Sequence, residues 1–158
     1  MSYRTVLADL KTKLDTETHI GEWLMIDQER INAFAKATLD DQWIHVDAER
    51  ASRESPFGGT VAHGYLSLSL LPYLAARVSA DGPRFAGAKL AVNYGLNRVR
   101  FPSAVRVGAR IRARTRLISV DEIPGECLQI INLFTIEIEG APKPACIAET
   151  VARIYFDA

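Results

Sequence analysis

The spacing of apolar residues along the first half of this 158-residue chain predicts two helices of different character. In QERINAFAKAT (residues 28–38), Ile31, Phe34 and Ala35 recur at helical spacing behind Asp27, which predicts an amphipathic helix with an aspartate N-cap. From Gly64, the stretch GYLSLSLLPYLAARVSA (residues 64–80) is apolar on nearly every side, which is typical of a helix buried inside a protein. We expect this helix to span roughly 24 Å and to kink at Pro72.

The second half of the chain shows the two-residue alternation of β-strands. Residues 105–117 alternate apolar residues with arginines, and residues 127–139 and 145–156 are further apolar stretches separated by turn residues at 124–125 and 140–142. One buried helix followed by long antiparallel strands predicts an α+β fold, in which a curved antiparallel sheet wraps around the helix. Because such a sheet leaves its edges open, pairing of edge strands in a homodimer is one way to cover them.

The residues between the two helices predict irregular structure. The short run WIHV (residues 43–46) lies between polar clusters and is interpreted as a loop or a brief extended segment. The following residues, AERASRESPFGGT, are rich in turn formers and predict a tight connection around Pro56, Gly58 and Gly59.

Composition narrows the class of protein. With 19 basic and 19 acidic residues the chain has no net field to attract nucleic acid or an anionic membrane. It shows no signal-peptide pattern, and no segment approaches the roughly 20 apolar residues that cross a bilayer. The two cysteines, Cys127 and Cys146, lack metal or disulfide-framework spacing. We therefore expect a soluble, cytoplasmic protein with one domain over residues 1–158 and neither a nucleic-acid nor a membrane partner.

The densest group of titratable residues is LDDQWIHVD (residues 39–47). Asp40 and His45, five residues apart, could hold one water between a carboxylate and an imidazole, which is an arrangement for general acid–base catalysis. The alternative is that Asp40 ends the preceding helix and His45 is an ordinary surface residue. Asp41 and Asp47 are interpreted as solvated carboxylates.

A second candidate site is PFGGTVAHGY (residues 56–65), where Gly64 opens the buried helix. Unpaired backbone N–H groups at such a position could stabilise a developing oxyanion, although a plain turn would also use a glycine. His63 could contact substrate or serve structurally. The three histidines lack metal-site spacing, and no nucleotide-binding glycine motif is complete, so we expect no metal and no cofactor.

The arginines of residues 106–116 also allow two interpretations. They could attract the phosphates of a carrier group, or they could form a solvated strand face paired with Glu137, Glu139 or Glu149.

Three motifs together resemble the MaoC-like, R-specific enoyl-CoA hydratases, also called hydratase 2. DDQWIH resembles that family's D-x-N-P-x-H signature, and FGGTVAHGY resembles the F-x-x-x-x-A-H-G segment before its central helix. With NYGLNRVRFP (residues 93–102), the chain is most similar to the nodulation-protein-N branch. Gln42 and Trp43 stand where the signature has asparagine and proline, and Pro72 replaces a serine that some members carry.

The resemblance implies a hot-dog fold, a homodimer, and reversible syn addition of water to a trans-2-enoyl thioester of coenzyme A or acyl carrier protein. Position by position it implies that Asp40 and His45 are catalytic and that the Gly64 N–H binds the thioester carbonyl. It places Gln42 and His63 on the substrate side of the site. Two alternatives remain open at this point: a hot-dog acyl-CoA thioesterase and a non-catalytic subunit that binds acyl thioesters.

Overall fold

A computed structural model of the protein describes residues 3–76, 78–79, 82–83 and 85–157. The helices of these residues are α1 (Tyr3–Lys11), α2 (Gln28–Thr38), α3 (Trp43–Val46), α4 (Ala48–Glu54), α5 (Gly64–Ser69) and α6 (Leu71–Leu74). The strands are β1 (Glu17–Ile20), β2 (Leu24–Met25), β3 (Val78–Ser79), β4 (Gly82–Pro83), β5 (Ala88–Arg100), β6 (Arg110–Ile123), β7 (Cys127–Ile138) and β8 (Cys146–Phe156).

The long strands form one antiparallel sheet with the order β1-β6-β7-β8-β5, and β2 also pairs with β6. Strand β6 pairs with β7 from Ile111 opposite Ile138 to Ile123 opposite Cys127, with a bulge near Leu117 that bends the strand. The helix at 28–38 begins as predicted, because the Asp27 side chain accepts a hydrogen bond from the Arg30 N–H at 2.8 Å. The predicted α+β class and antiparallel sheet are therefore confirmed.

The core lies between the helices and the concave face of this sheet. Apolar residues of α5 and α6 pack in one cluster with small residues of the sheet such as Ala113 and Ala148, which leave room for the helices. The cluster consists of Ile26, Ile31, Ala62, Leu66, Leu71, Leu74, Ala75, Val105, Ile111, Ala113, Phe134, Ile136, Ala145, Cys146 and Ala148.

The helix predicted from Gly64 to residue 80 is shorter than expected. It breaks at Leu70 into α5 and α6, because Pro72 has no N–H to continue the hydrogen-bond ladder, and its last backbone bond is from Ala76 to Tyr73. Residues 77 and 80 lie outside the described part of the chain. The prediction that this helix is buried on nearly every side is also wrong for the single chain, since the side chains of Tyr65 and Tyr73 are 67% and 63% exposed.

The segment predicted as irregular is helical over residues 43–46 and 48–54. Asp47, expected to be a solvated carboxylate, caps α4 by accepting from the Arg50 N–H at 2.9 Å. Ion pairs four residues apart, Arg50–Glu54 and Arg53–Glu49, support the same helix. The turn at Pro56, Gly58 and Gly59 is present as predicted, and Gly58 has a φ of +70°.

The strand predicted from residue 105 begins only at Arg110, because a turn with Gly108 at a φ of +84° precedes it. Beyond that turn the arginines form ion pairs across the outer face of the sheet. Arg110 pairs with Glu139 at 3.1 Å, Arg112 with Glu137 at 2.7 Å and Arg114 with Glu17 at 2.6 Å. The paired-strand interpretation is therefore confirmed for Glu137 and Glu139, whereas Glu149 accepts from Asn97 instead.

Helix α1 covers one end of the sheet and encloses a cavity beneath it. Val6 and Leu10 pack on an apolar cluster of β6, β7 and β8, and the Tyr3 hydroxyl donates to Glu122 at 2.6 Å. The cavity has a volume of about 740 Å³ and is lined by side chains that include Leu10, Ala75, Leu117, Ile130 and the buried polar residues Thr115 and Asn132.

None of the helices in the described residues has the length and apolar character to cross a membrane.

Gly21 marks the point where the chain between β1 and β2 passes closest to the end of α6. Its N–H donates to the Ala113 carbonyl at 2.8 Å, and a Cβ on this residue would lie 2.1 Å from the Leu74 carbonyl oxygen. Any side chain here would push α6 away from the sheet.

We predict that Gly21→Ala lowers the free energy of unfolding by at least about 2 kcal/mol, because overpacking against backbone atoms displaces packed elements. Gly59→Ala is the matched control, since its Cβ would meet only the Arg106 guanidinium at an ordinary 3.7 Å. Urea denaturation of both variants measures the effect. Equal stabilities of the two variants would show that the contact with α6 is not tight.

Candidate active site

Three separate segments bring Asp40, His45 and His63 together. Asp40 follows α2, His45 lies in α3, and His63 directly precedes α5. A carboxylate oxygen of Asp40 and one ring nitrogen of each histidine lie within 4.8 Å of one another. Asp40 is exposed, whereas His45 and His63 are only 7% and 2% exposed. The alternative that His45 is an ordinary surface residue is therefore wrong.

A partly buried hydrogen-bond chain fixes α3 in this position. The Gln28 side-chain amide of α2 donates to the His45 carbonyl at 2.7 Å, and its oxygen accepts from the Thr60 hydroxyl. The His45 N–H donates to the Gln42 carbonyl at 2.9 Å. Gln28 and Thr60 were not recognised from the sequence, although Thr60 lies within FGGTVAHGY, because their contact joins residues 32 positions apart.

The His45 imidazole is oriented by the backbone of Val61. Its Nδ1 lies 2.7 Å from the Val61 carbonyl oxygen. Because a carbonyl only accepts, Nδ1 carries the proton and Nε2 keeps a lone pair in the neutral ring. Burial lowers the pKa of His45 below its ordinary 6.5, and the neighbouring His63 lowers it further, against the opposing effects of the Val61 carbonyl and Asp40.

His63 is held on three sides. Its Nε2 lies 2.9 Å from the backbone carbonyl oxygen of Asp40, its ring stacks on His45 with centroids 3.8 Å apart, and the Phe34 ring lies 5.0 Å away. The carbonyl of Asp40 again only accepts, so Nε2 carries a proton, and the buried Nδ1 has no hydrogen-bond partner among the residues that the structure describes.

The separation of at most 4.8 Å between a carboxylate oxygen of Asp40 and a ring nitrogen of His45 is compatible with one shared water. A water that hydrogen-bonds to two acceptors at about 2.8 Å with a near-tetrahedral angle spans about 4.6 Å between them. Together, an exposed carboxylate and a neutral imidazole can accept one proton from such a water and deliver another proton to a nearby atom. The arrangement therefore supports general acid–base chemistry on water.

Gly64 begins α5 next to this cluster, as predicted. A Cβ on Gly64 would lie 3.1 Å from the Phe101 ring, so the close approach that requires a glycine here is made by an aromatic side chain of the protein. The first backbone N–H groups of α5 lack partners within the helix. Gln42 lies at the start of α3, is exposed, and its side chain does not cap that helix.

Other chemistries fit these residues poorly. The two imidazole rings are stacked at an interplanar angle of 23°, so their lone pairs lie in nearly parallel planes and do not converge on one metal ion. Both cysteines are buried, and burial raises the pKa of the Cys146 thiol to about 11. A thiol with that pKa is protonated at neutral pH and is a poor nucleophile.

Known proteins of one family are similar to this chain in sequence and in fold. The family model described as "MaoC like domain" matches residues 9–129. The chain is 46% identical, over 93% of its own length and 94% of the relative, to 3-hydroxyacyl-thioester dehydratase Z of Mycobacterium tuberculosis. It is 42% identical to nodulation protein N of Rhizobium leguminosarum bv. viciae, over 96% and 92% of the two chains.

The chain belongs to the MaoC-like family. The solved (R)-hydratase from A. caviae, involved in PHA biosynthesis, superposes with a TM-score of 0.65 at 21% identity, over 85% of this chain and 95% of that one. The MaoC-like chain thus has the hot-dog fold that the sequence motifs implied.

Burial of the His45 imidazole in this MaoC-like site gives stability a defined pH dependence. Above about pH 6.5 the ring is neutral in both the folded and the unfolded state, so its lowered pKa contributes nothing. Below that pH the unfolded chain takes up the proton first, and folding becomes less favourable until the folded ring is protonated too.

We therefore predict that the free energy of unfolding of the wild-type chain falls more steeply than that of His45→Gln between about pH 7 and about pH 5. Urea denaturation of both chains over this pH series measures the difference. Parallel curves would mean that the folded pKa of His45 is ordinary.

Proposed function

We propose that the protein is an R-specific hydratase and dehydratase, which interconverts trans-2-enoyl thioesters and R-3-hydroxyacyl thioesters. The observation that carries the proposal is the placement of the Asp40 carboxylate beside a buried, neutral His45 whose Nε2 is unprotonated. The 46% identical relative is a 3-hydroxyacyl-thioester dehydratase, which supports the same reaction for this chain.

In the hydration direction, Asp40 and His45 hold one water over C3 of the enoyl group. The water oxygen forms a bond to C3 while one of its protons passes to the Asp40–His45 pair, and the pair delivers a proton to C2. Both additions come from the same side, so the addition is syn. The reverse sequence eliminates water from the 3-hydroxyacyl thioester.

Negative charge develops on the thioester oxygen during this addition. We assign the backbone N–H of Gly64 to stabilise it, because the start of α5 lies beside the Asp40–His45 pair and its first N–H groups lack helical partners. In this proposal Gln42 contacts the substrate at the exposed rim, where its amide stands in for the asparagine of the family signature.

We predict that Asp40→Asn and His45→Ala each reduce the hydration of crotonyl-CoA by about 100- to 10,000-fold, because a positioned acid–base group contributes that much. Asp41→Asn is the matched control, since this neighbouring carboxylate is exposed and outside the cluster. Loss of absorbance at the enoyl band measures the rate. Native rates in both site variants would refute the assignment.

Assays with the same acyl and enoyl thioesters distinguish the proposed hydratase from the two rival functions. A thioesterase releases free thiol from an acyl thioester, whereas a hydratase leaves the thioester intact. A non-catalytic binding subunit binds an acyl thioester in calorimetry without any change at the enoyl band. The intact Asp40–His45 pair favours the hydratase, because binding alone requires neither residue.

We also propose that the protein acts as a homodimer through β5. This strand is an edge of the main sheet, and its exposed apolar side chains include Val92 at 43% and Tyr94 at 58%. A groove of about 300 Å³ between β5 and the helices α5 and α6 continues the apolar surface. A long apolar edge strand is unfavourable in water, and a second copy of the chain with the same edge would cover it.

We predict that Val92→Lys converts the dimer to a monomer, because a charge placed on the apolar edge opposes its burial. Ile20→Lys on β1, at the opposite edge and equally exposed, is the matched control. Light scattering coupled to size-exclusion chromatography measures the mass. A wild-type mass of one chain would rule out the dimer.

A further inference from the structure

His63 makes contacts that differ from those expected of a substrate-binding residue. It is 2% exposed, and one ring nitrogen is engaged with the backbone of Asp40 rather than directed to solvent. Its ring face is covered by His45 and neighboured by Phe34. A side chain so enclosed has little surface left for a ligand.

The same contacts join both proposed catalytic residues to the start of the central helix. Asp40 is exposed and follows the left-handed Leu39, which ends α2, so neither a helix nor burial fixes it. The hydrogen bond from His63 to the Asp40 carbonyl is a direct link between that loop and the residue before α5. The His63 ring, which stacks on the His45 ring, limits how far the His45 ring can rotate toward it.

We propose that His63 is a positioning residue, whose Nε2–H holds the Asp40 backbone and whose ring supports His45, so that it sets the distance between the two. The inference rests on the proposed function of Asp40 and His45. It replaces the expectation that His63 contacts substrate.

The contact with Asp40 requires a proton on Nε2 of His63, because a carbonyl oxygen only accepts. The stacking on His45 requires a flat ring. A glutamine side chain reaches about as far and keeps an N–H donor, but it has no ring. A phenylalanine keeps the ring and has no donor.

We predict that His63→Phe lowers kcat for crotonyl-CoA by about 10- to 100-fold with KM within about threefold, because a small displacement of a catalytic group affects the transition state and not ground-state binding. His63→Gln, which retains the donor, should keep at least about tenfold more activity than His63→Phe. Circular dichroism verifies that each variant is folded.

Three outcomes would overturn the proposal. A raised KM with native kcat in both variants would show that His63 contacts substrate. Native kcat in His63→Phe would show that the link to Asp40 has no effect on the reaction. The reverse order, with the phenylalanine variant more active than the glutamine variant, would also contradict the role given to the donor.

A readout independent of turnover tests the contact itself. The chain has three histidines, so His19 and His45 remain to be followed by NMR in a His63 variant, with His19 in β1 as the internal control. Asp40 and His63 are the titratable groups that act on His45. Removing the ring in His63→Ala admits water to His45, so we expect its pKa to rise toward the ordinary value while that of His19 stays unchanged.

An unchanged His45 titration in His63→Ala would overturn the stacking part of the proposal. If the wild-type chain hydrates no enoyl thioester, the proposed function fails, and the NMR titration still decides whether His63 supports His45. The two failures are therefore distinguishable.

Discussion

The packing of α5 and α6 against the concave face of the sheet is the contact on which the other features depend. Leu66, Leu71 and Leu74 lie against small or flat positions of the strands, among them Ala113 and Ala148. Larger residues at those positions would hold the helices away from the sheet. Because Gly64 begins this packed segment and His63 directly precedes it, the placement of the segment also determines where the proposed site forms.

The site combines two buried side chains with one exposed side chain. His45 and His63 are enclosed by α2, α3 and the segment around Val61, whereas the Asp40 carboxylate is open to solvent. Burial lowers the pKa of the His45 imidazole, whereas the Asp40 carboxylate is exposed. The two groups therefore differ in environment although they lie within 4.8 Å, which is the condition under which one pair can both accept and deliver protons.

Much of the fold was predictable from local patterns. In α2, β7 and β8 the apolar residues follow the spacing of a helix or a strand, and a capping residue or a turn marks where the element begins or ends. The short helices α3 and α4 were missed, although Asp47 and the ion pairs four residues apart were available signals for α4. Asp40, His45 and Gly64 were predicted as site residues from the local sequence, and the family resemblance added a role for each. The link between His63 and Asp40 was not predictable, since it joins residues 23 positions apart and depends on how three segments pack.

Helix α1 has a consequence for how relatives of this protein can diverge. It forms one wall of the cavity of about 740 Å³, yet most of it precedes residue 9, where the match to the family model begins. It contacts the sheet through Val6 and Leu10 and contributes no residue to the cluster around His45. Substitutions in this amino-terminal segment can therefore change the shape of the cavity during evolution while Asp40, His45 and His63 keep their arrangement.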